Sequence, residues 1–201
     1  MILEIVKYGH PALREKGARV KQVTPEIRQL AADMIETMYA ADGVGLAAQQ
    51  VGRPLMLTVI DISSSEHPGE MFVNGTLQEF KKRMPLVLVN PQLSHAEGEQ
   101  IGPEGCLSIP EVNGDIRRAA RIHVRAQTLD GGEMAFDCTG LLARAAQHEV
   151  DHLNGILFTD RMDSATRASV AGKLKKLQKE TASHLAKAKA DKSRRREPVR
   201  M

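Results

Sequence analysis

The sequence has no run of about 18 consecutive apolar residues, the length that a membrane-spanning helix requires. Its apolar opening, Met1–Lys7, is too short for the core of a signal peptide. Glu4 and Glu15 also argue against a transit peptide, because transit peptides contain few acidic residues. The cysteine count is two, Cys106 and Cys138, which excludes a secreted scaffold held by several disulfides. We therefore expect a cytoplasmic protein with free thiols and no membrane partner.

A glycine-rich segment, Gly43–Gly52, lacks the glycine spacing and the Lys-Ser/Thr pair of a phosphate-binding loop. This difference disfavours nucleotide binding. Its glycines and alanines would let another backbone approach closely, as an extended peptide substrate requires. The same composition also suits a plain connection between a helix and a strand, and the segment alone does not separate these two interpretations.

Charge is distributed unevenly along the 201 residues, although the net charge is only +3. Residues 1–163 contain 16 basic and 22 acidic side chains, whereas residues 164–201 contain 12 basic and 3 acidic ones. With 42% apolar and 26% charged residues, the chain has the composition of an ordinary globular protein. We therefore predict one globular domain over residues 1–163, followed over 164–201 by a basic C-terminal arm consisting of a helix and a disordered tail.

Periodicity and turn residues indicate a mixture of helices and antiparallel strands. Thr24-Pro25-Glu26 is typical of a helix N-terminus, and the apolar residues behind it recur every three or four positions up to Asp42-Gly43. Further helices are predicted over about 140–153 and from Ser164, with the apolar signal fading from Ala186. An irregular loop is expected over 63–82, and strands over 55–60, 86–89 (ended by Asn90-Pro91), 121–129 and 134–138, the last two as a hairpin.

The five residues from His148 to His152, HEVDH, form the one motif with a specific chemistry. On a helix, positions i and i+4 share a face, so both imidazoles can bind one metal ion. Glu149 lies within reach of a metal-bound water, whose pKa the metal lowers from about 15.7 toward about 7. The alternative is a helix with two ordinary surface histidines, but the apolar flanking residues favour a buried site.

A catalytic metal site needs a third protein ligand besides these two histidines. Downstream, Asp160 and Asp163 are plausible ligands. Cys106 is the better candidate, because a thiolate between a glycine and an extended apolar segment can supply a soft anionic ligand. On its own, however, Cys106 is more typical of a small buried residue in a strand. We interpret Cys138 as a packing residue.

Three segments of the sequence, Gly43–Gln50, Glu104–Ser108 and Gln147–Gly155, read GVGLAAQQ, EGCLS and QHEVDHLNG. In this order they resemble the signatures GxGLAAxQ, EGCLS and QHExDHLxG of peptide deformylase, the metal hydrolase that removes the N-terminal formyl group from new bacterial polypeptides. Every signature residue is present, which makes the resemblance highly specific. It covers about residues 1–160, which we therefore interpret as a catalytic domain, and leaves the basic arm unexplained.

The resemblance implies an α+β fold in which antiparallel sheets surround a central metal-binding helix, with a C-terminal helix. It also implies one divalent metal ion held by Cys106, His148 and His152. Ferrous iron, Fe2+, is the metal expected in the cell, while Zn2+, Ni2+ or Co2+ can occupy the site in purified protein.

For catalysis, the resemblance implies that metal-bound hydroxide attacks the formyl carbon of an N-formylmethionyl peptide and that formate is released. Glu149 would act as general base and then as general acid, while the side-chain amide of Gln50 and the backbone N–H of Leu107 would stabilise the oxyanion. The other expected substrate contacts are backbone groups and pocket walls, namely Gly43, Val44, Gly45, Gly105, Leu141, Arg144 and Ala145.

Two charged features add to this expectation. Arg144 lies four residues before His148, where some relatives have an apolar pocket wall. We expect either that its stem lines the pocket with the guanidinium at the rim, or that it contacts later residues of the substrate. Glu104 and Arg118 are a candidate buried ion pair that would brace the Cys106 segment, although surface pairs are the commoner outcome.

The basic arm suggests a docking hypothesis, because a nascent peptide emerges from the ribosome. Lys and Arg on a helix bind phosphate without sequence specificity, and the arm has no aromatic residue that could stack on bases. A solvated helix with a frayed end is the alternative. For the whole chain, the alternatives are an HExxH metallopeptidase that cleaves internal bonds and a ribosome- or RNA-binding protein with a vestigial metal site.

Overall fold

The computed structural model describes residues 1–194, so the last part of the expected disordered tail, residues 195–201, lies outside the described residues. The described part contains three α-helices and nine strands, and none of its helices is both long and apolar enough to cross a membrane. The helices are α1 (Pro25–Ala40), α2 (Gly140–Leu153) and α3 (Ser164–Arg194). The strands are β1 (Gly45–Ala47), β2 (Leu57–Ile60), β3 (Met71–Val73), β4 (Thr76–Leu77), β5 (Leu86–Glu97), β6 (Gln100–Cys106), β7 (Ile109–Arg118), β8 (Arg121–Gln127) and β9 (Glu133–Thr139).

Helix α2 lies between two antiparallel sheets. The larger sheet has the strand order β1-β2-β5-β8-β9-β3-β4, and β6 and β7 form the second. On one side of α2, Leu142 and Ala146 are buried in a cluster with Leu88 and Phe136 of the larger sheet. On the other side, the Gln147 amide donates to the carbonyl of residue 119, just after β7. The predicted fold, with antiparallel sheets around a central helix and a C-terminal helix, is confirmed.

The predicted helices α1 and α2 and the β8–β9 hairpin are present close to their expected bounds. Helix α3 is longer than its apolar pattern indicates, because it continues past Ala186 to Arg194. We expected the helix to fray or become disordered from Ala186 onward, and this prediction is wrong for the residues up to Arg194. Alanine and lysine, which dominate this stretch, are strong helix formers and sustain a helix without an apolar face.

Strand β5 does not end at Asn90-Pro91 as predicted, but continues to Glu97. Asn90 adopts a left-handed φ of 52° at a register shift against β8. Its side chain donates to the carbonyl of Val20 at 2.8 Å and accepts from the Val20 N–H at 2.9 Å. The Asn-Pro pair therefore makes a β-bulge within the strand, and the Asn90 side chain binds the backbone of a segment outside the sheet.

The region 63–82, predicted to be an irregular loop, contains the short hairpin β3–β4. Its turn is Asn74-Gly75, with φ values of 51° and 75°. Asn-Gly between apolar residues is the strongest short-range signal of a two-residue hairpin turn, because both central positions need positive φ. The sequence therefore contained the signal for this hairpin, and our prediction overlooked it.

The β6–β7 sheet was not predicted, although it carries Cys106. A register shift between Glu104 and Cys106 places extra residues in β7. Burial alternates along β6 and along β7 from Val112 to Arg118, but several inward positions are polar, including Gln100, Glu104 and Arg118. The period-2 pattern of apolar residues that identifies a strand from sequence is therefore absent here.

Candidate active site

The residues of the HEVDH motif lie on α2, with both histidines on one face of the helix. The His148 and His152 rings are buried, and their centroids are 4.9 Å apart. Cys106, at the end of β6, places its Sγ 3.3 Å from Nε2 of His152. One ligand atom from each of these three residues lies within 4.8 Å of the others. The structure therefore brings together the three predicted metal ligands from two separate segments.

The two aspartates that were plausible third ligands are engaged elsewhere. Asp160 forms an ion pair with Arg14 and accepts the backbone N–H of Leu157 at 2.9 Å. Asp163 accepts the N–H of Thr166 at 2.8 Å near the start of α3. Among residues 1–194, the Cys106, His148 and His152 group is the one set of three such side chains whose geometry could hold a metal ion.

The chemistry of the Cys106, His148 and His152 group fits a divalent transition metal. One sulfur and two imidazole nitrogens are the donors of a three-ligand catalytic site, which leaves a coordination position open. Burial lowers the pKa of His152 well below its ordinary value, which favours the neutral, ligating imidazole. The Nδ1 atom of His148 lies 2.9 Å from the Glu104 carboxylate. Because a carboxylate only accepts, His148 donates from Nδ1, which leaves Nε2 as the nitrogen that would bind a metal.

Glu149 lies next to these ligands on α2 and is buried, with 4% of its surface exposed. Its Oε2 accepts from the Thr58 hydroxyl at 3.4 Å, which leaves Oε1 uncommitted. A Cβ atom at Gly45 would lie only 2.3 Å from Oε1, so glycine is needed there to admit the carboxylate. Burial raises the pKa of Glu149 to about 7, which suits a group that takes and returns a proton near neutral pH.

The side chain of Gln50 is oriented by the backbone of its own segment. Its Oε1 accepts the Ala47 N–H at 2.8 Å. Its Nε2 lies 3.4 Å from both Cys106 Sγ and Ser108 Oγ. The amide N–H groups therefore face Cys106, so they can donate a hydrogen bond to a molecule bound beside it.

A cavity of about 340 Å³ opens onto this group of residues. Every predicted site residue except the buried His152 lines it. These lining residues are Gly43, Val44, Gly45, Gln50, Gly105, Cys106, Leu107, Leu141, Arg144, Ala145, His148 and Glu149. A larger groove of about 770 Å³ lies between residues 2–7 and α3, away from the Cys/His group. We take the smaller cavity as the candidate active site because the reactive side chains converge there.

Comparison with known proteins agrees with this geometry. The family model described as polypeptide deformylase matches residues 2–168. The chain belongs to the peptide deformylase family. These enzymes are metal-dependent hydrolases that act on N-formylmethionyl peptides, so the chain is an enzyme of protein biosynthesis rather than an RNA-binding protein with a vestigial site.

The similarity to individual deformylases extends over most of the chain. The peptide deformylase of Opitutus terrae is 42% identical over 183 residues, which cover 90% of this chain and 95% of the relative. The Legionella pneumophila deformylase structure has a TM-score of 0.75 and 34% identity, covering 90% of this chain and 98% of that one. The Synechococcus elongatus deformylase, solved in complex with actinonin, has a TM-score of 0.69 and 36% identity, covering 90% and 86% respectively.

Behind the active site of this deformylase lies a buried ion-pair network. Arg118 donates to both oxygens of Glu104, from Nε and Nη2, at 2.9 Å each. The hypothesis of a buried Glu104–Arg118 pair is therefore confirmed. Burial alone would raise the pKa of Glu104, but the hydrogen bonds from Arg118 and His148 outweigh it and lower this pKa to about 2. The ionised carboxylate holds His148 in one orientation.

Arg144 is also part of this network, which the sequence did not indicate. Its Nη1 donates to Glu104 Oε1 and to the Ile116 carbonyl, both at 2.9 Å, and its side chain is 9% exposed. The expectation that its guanidinium lies at the pocket rim is wrong, because Glu104 and the β7 carbonyl draw it inward. Arg144 still borders the cavity.

Sequence reasoning missed several other residues that support the site. Asp151, inside the HEVDH motif, pairs with Arg118 and with Arg161. Its position three residues after His148 was the only signal, since it places Asp151 beside the metal-binding face of α2. Thr58, the donor to Glu149, had no signal at all. Cys138 is fully buried in the core as expected.

Proposed function

We propose that this deformylase removes the formyl group from N-formylmethionyl nascent peptides in the cytoplasm, with one divalent cation held by Cys106, His148 and His152 and with Fe2+ as the metal in the cell. When bound, the cation would acidify a water molecule and so supply a nucleophile near neutral pH. The observation that carries the proposal is the buried Glu149 carboxylate, which lies beside these three ligands and opens onto a peptide-sized cavity.

In the proposed reaction Glu149 moves the proton. Its Oε2 lies 3.4 Å from the Thr58 hydroxyl, which also donates to the Leu46 carbonyl at 3.0 Å. The other oxygen, Oε1, takes a proton from the attacking water and delivers it to the departing amine. As the carbonyl is attacked, negative charge develops on the formyl oxygen. The amide of Gln50 and the backbone N–H of Leu107 donate to that oxygen, and removing one such donor typically costs about 10²–10³ in rate.

The substrate peptide would lie along the edge of β1. This strand pairs only with β2, so it has a free edge, and Val44 and Gly45 beside the cavity can bind an extended peptide through backbone hydrogen bonds. Gly105 would hold the peptide from the β6 side, while Gly43 leaves room for it. The methionine side chain would enter the part of the cavity lined by Leu141, Arg144 and Ala145.

The test of the catalytic assignment is formate release from formyl-Met-Ala-Ser by protein loaded with iron under anaerobic conditions. Glu149→Gln is expected to lower kcat about 10²- to 10⁴-fold with unchanged metal content, because it removes the base and keeps the shape. Glu133→Gln, an exposed acid, is the matched control and should match wild type. Wild-type kcat in Glu149→Gln would refute the role of Glu149.

The role of Cys106 separates deformylation from an HExxH peptidase activity. If Cys106 is the third ligand, Cys106→Ser should abolish iron loading, as measured by metal analysis. Actinonin, which the Synechococcus elongatus relative binds, provides a second readout that needs no turnover. We expect it to bind the iron-loaded wild type and to lose affinity for Cys106→Ser. Full metal content in the variant would count against this ligand set.

We also propose that α3 docks the enzyme on the ribosome near the exit of the nascent chain. Between Ser164 and Ala190 this helix carries seven basic side chains and one acidic one, and Leu174 anchors it in the core. Lys187→Glu/Lys189→Glu should reduce co-sedimentation with ribosomes at low salt, since phosphate contacts are lost. Lys21→Glu/Arg28→Glu changes the net charge equally at another surface and should sediment as wild type. Equal sedimentation of all three proteins would refute the docking.

A further inference from the structure

The extended segment Val6–Tyr8, which we call the strap, connects the two segments that carry Gln50 and Leu107. The Val6 N–H donates to the Gln50 carbonyl at 2.9 Å, and the Tyr8 N–H donates to the Ser108 carbonyl at 2.8 Å. Between them, the Lys7 ammonium donates to the Leu107 carbonyl at 2.8 Å. Three successive residues of the strap thus bind both elements of the proposed oxyanion site.

The direct contacts between these two elements are longer than those made by the strap. The Gln50 amide reaches Cys106 and Ser108 only at 3.4 Å. The contact with the Ser108 oxygen is long for a hydrogen bond and the Cys106 sulfur is a weak acceptor, whereas the strap's bonds of 2.8–2.9 Å have ordinary length. The separation of the two donors therefore depends on the strap more than on their mutual contact.

Helix α3 holds the strap from its outer side. A Cβ at Gly9, directly after the strap, would lie 3.0 Å from the Gln178 backbone, so α3 approaches here as closely as glycine permits. Val6 and Tyr8 pack against the cluster that contains Leu174 of α3. The strap is therefore packed between α3 on one side and the segments of Gln50 and Leu107 on the other, which restricts its movement away from the site.

We propose that Lys7 is a positioning residue of the active site, which anchors the peptide unit after Leu107 through the Leu107 carbonyl and so restrains the Leu107 Cα, from which the N–H of the preceding peptide unit points at the developing oxyanion. The proposal rests on the function proposed above. Donors stabilise a transition state only if they are held in place before the charge develops, and errors of about 1 Å in such sites are costly. The Lys7 bond is also charge-assisted, which makes it stronger than a neutral hydrogen bond. Lys7 itself is exposed and touches no substrate atom in this proposal.

The test is a series of substitutions at Lys7, assayed by formate release from formyl-Met-Ala-Ser with iron-loaded enzyme. Lys7→Met removes the donor and is expected to lower kcat about 3- to 10-fold while KM changes by less than about twofold. Lys7→Arg keeps a charged donor and should recover at least about half of the wild-type kcat. Lys21→Met removes an exposed lysine elsewhere and serves as the matched control. Metal content and melting temperature are measured for all four proteins.

A second readout, which needs no activity, is amide hydrogen exchange of the segment around Leu107. Faster exchange there in Lys7→Met, with wild-type exchange in Lys7→Arg and Lys21→Met, is the expected result. Unchanged exchange, wild-type kcat in Lys7→Met, or a kcat loss that merely follows metal content and melting temperature would each overturn the positioning role. A wild-type protein that released no formate, yet showed the expected exchange differences, would instead refute the proposed function.

Discussion

Two neighbouring arginines of β7 allow a sharp test of the buried network behind the active site. Arg118 and Arg117 follow each other in the strand and so point to opposite faces of the sheet. The Arg118 side chain is 2% exposed and bonds both Glu104 and Asp151. The Arg117 side chain is 66% exposed and pairs with the half-exposed Glu99. The same substitution at the two positions therefore removes a buried and an exposed ion pair from one strand.

The expected magnitudes follow from what each substitution leaves behind. Arg118→Met keeps most of the apolar stem but leaves two buried carboxylates with fewer partners. Breaking a buried pair in this way typically costs about 3–5 kcal/mol. Because Arg144 still bonds Glu104 and Arg161 still bonds Asp151, we expect the lower end, about 3 kcal/mol. Arg117→Met should cost about 0–1 kcal/mol, because exposed pairs contribute little.

Urea denaturation of the two variants and the wild type measures these differences. For a chain of this size, about 3 kcal/mol corresponds to a fall in Tm of about 6–12 °C, so thermal melts give an independent check. An m-value equal to that of wild type would show that the change lies in stability rather than in compactness. Equal losses in the two variants, or no loss in Arg118→Met, would refute the argument that burial decides the contribution of this ion pair.

Three further predictions concern the site and its surroundings. Glu104→Gln should weaken metal affinity about 10- to 100-fold in a chelator competition, because an ionised carboxylate no longer orients His148. Gly45→Ala should lower kcat for formate release at least about 100-fold with unchanged metal content, since its methyl group would occupy the place of Glu149 Oε1; Gly172→Ala, in open space, is the control. The hydrogen bond from Arg14 keeps the pKa of Asp160 below the ordinary value of an aspartate despite partial burial. This pair therefore stabilises the folded state above that ordinary value and less as the pH falls through the lowered pKa. The destabilisation caused by Asp160→Asn, measured by urea denaturation, should therefore shrink on acidification, and a constant difference would contradict this reasoning.

The elements that the sequence predicted correctly are those whose signal is local. Helix α1 and the β8–β9 hairpin each show their own hydrophobic period, and their bounds follow from turn residues next to them. Elements that depend on partners elsewhere in the chain were predicted poorly. The inward positions of the β6–β7 sheet include Gln100, Glu104 and Arg118, whose polar side chains are buried only because partners elsewhere in the chain pair with them. Strand β5 passes through Asn90-Pro91 because the Asn90 backbone N–H bonds Met56 and its side chain bonds the backbone of Val20, both far away in sequence.

The sequence by itself determined the chemistry of the site, because i, i+4 spacing on a helix is enough to place His148 and His152 on one face beside Glu149. The sequence also favoured Cys106 as the third ligand, but only the tertiary structure placed its sulfur beside the histidines, since Cys106 reaches α2 through the packing of β6 against that helix. The same holds for Arg144, whose guanidinium turned inward to the Glu104 carboxylate and to a carbonyl of β7. Periodicity reports which face of an element is buried, but the partners of a buried charge come from distant segments and are fixed by how the sheets pack around α2.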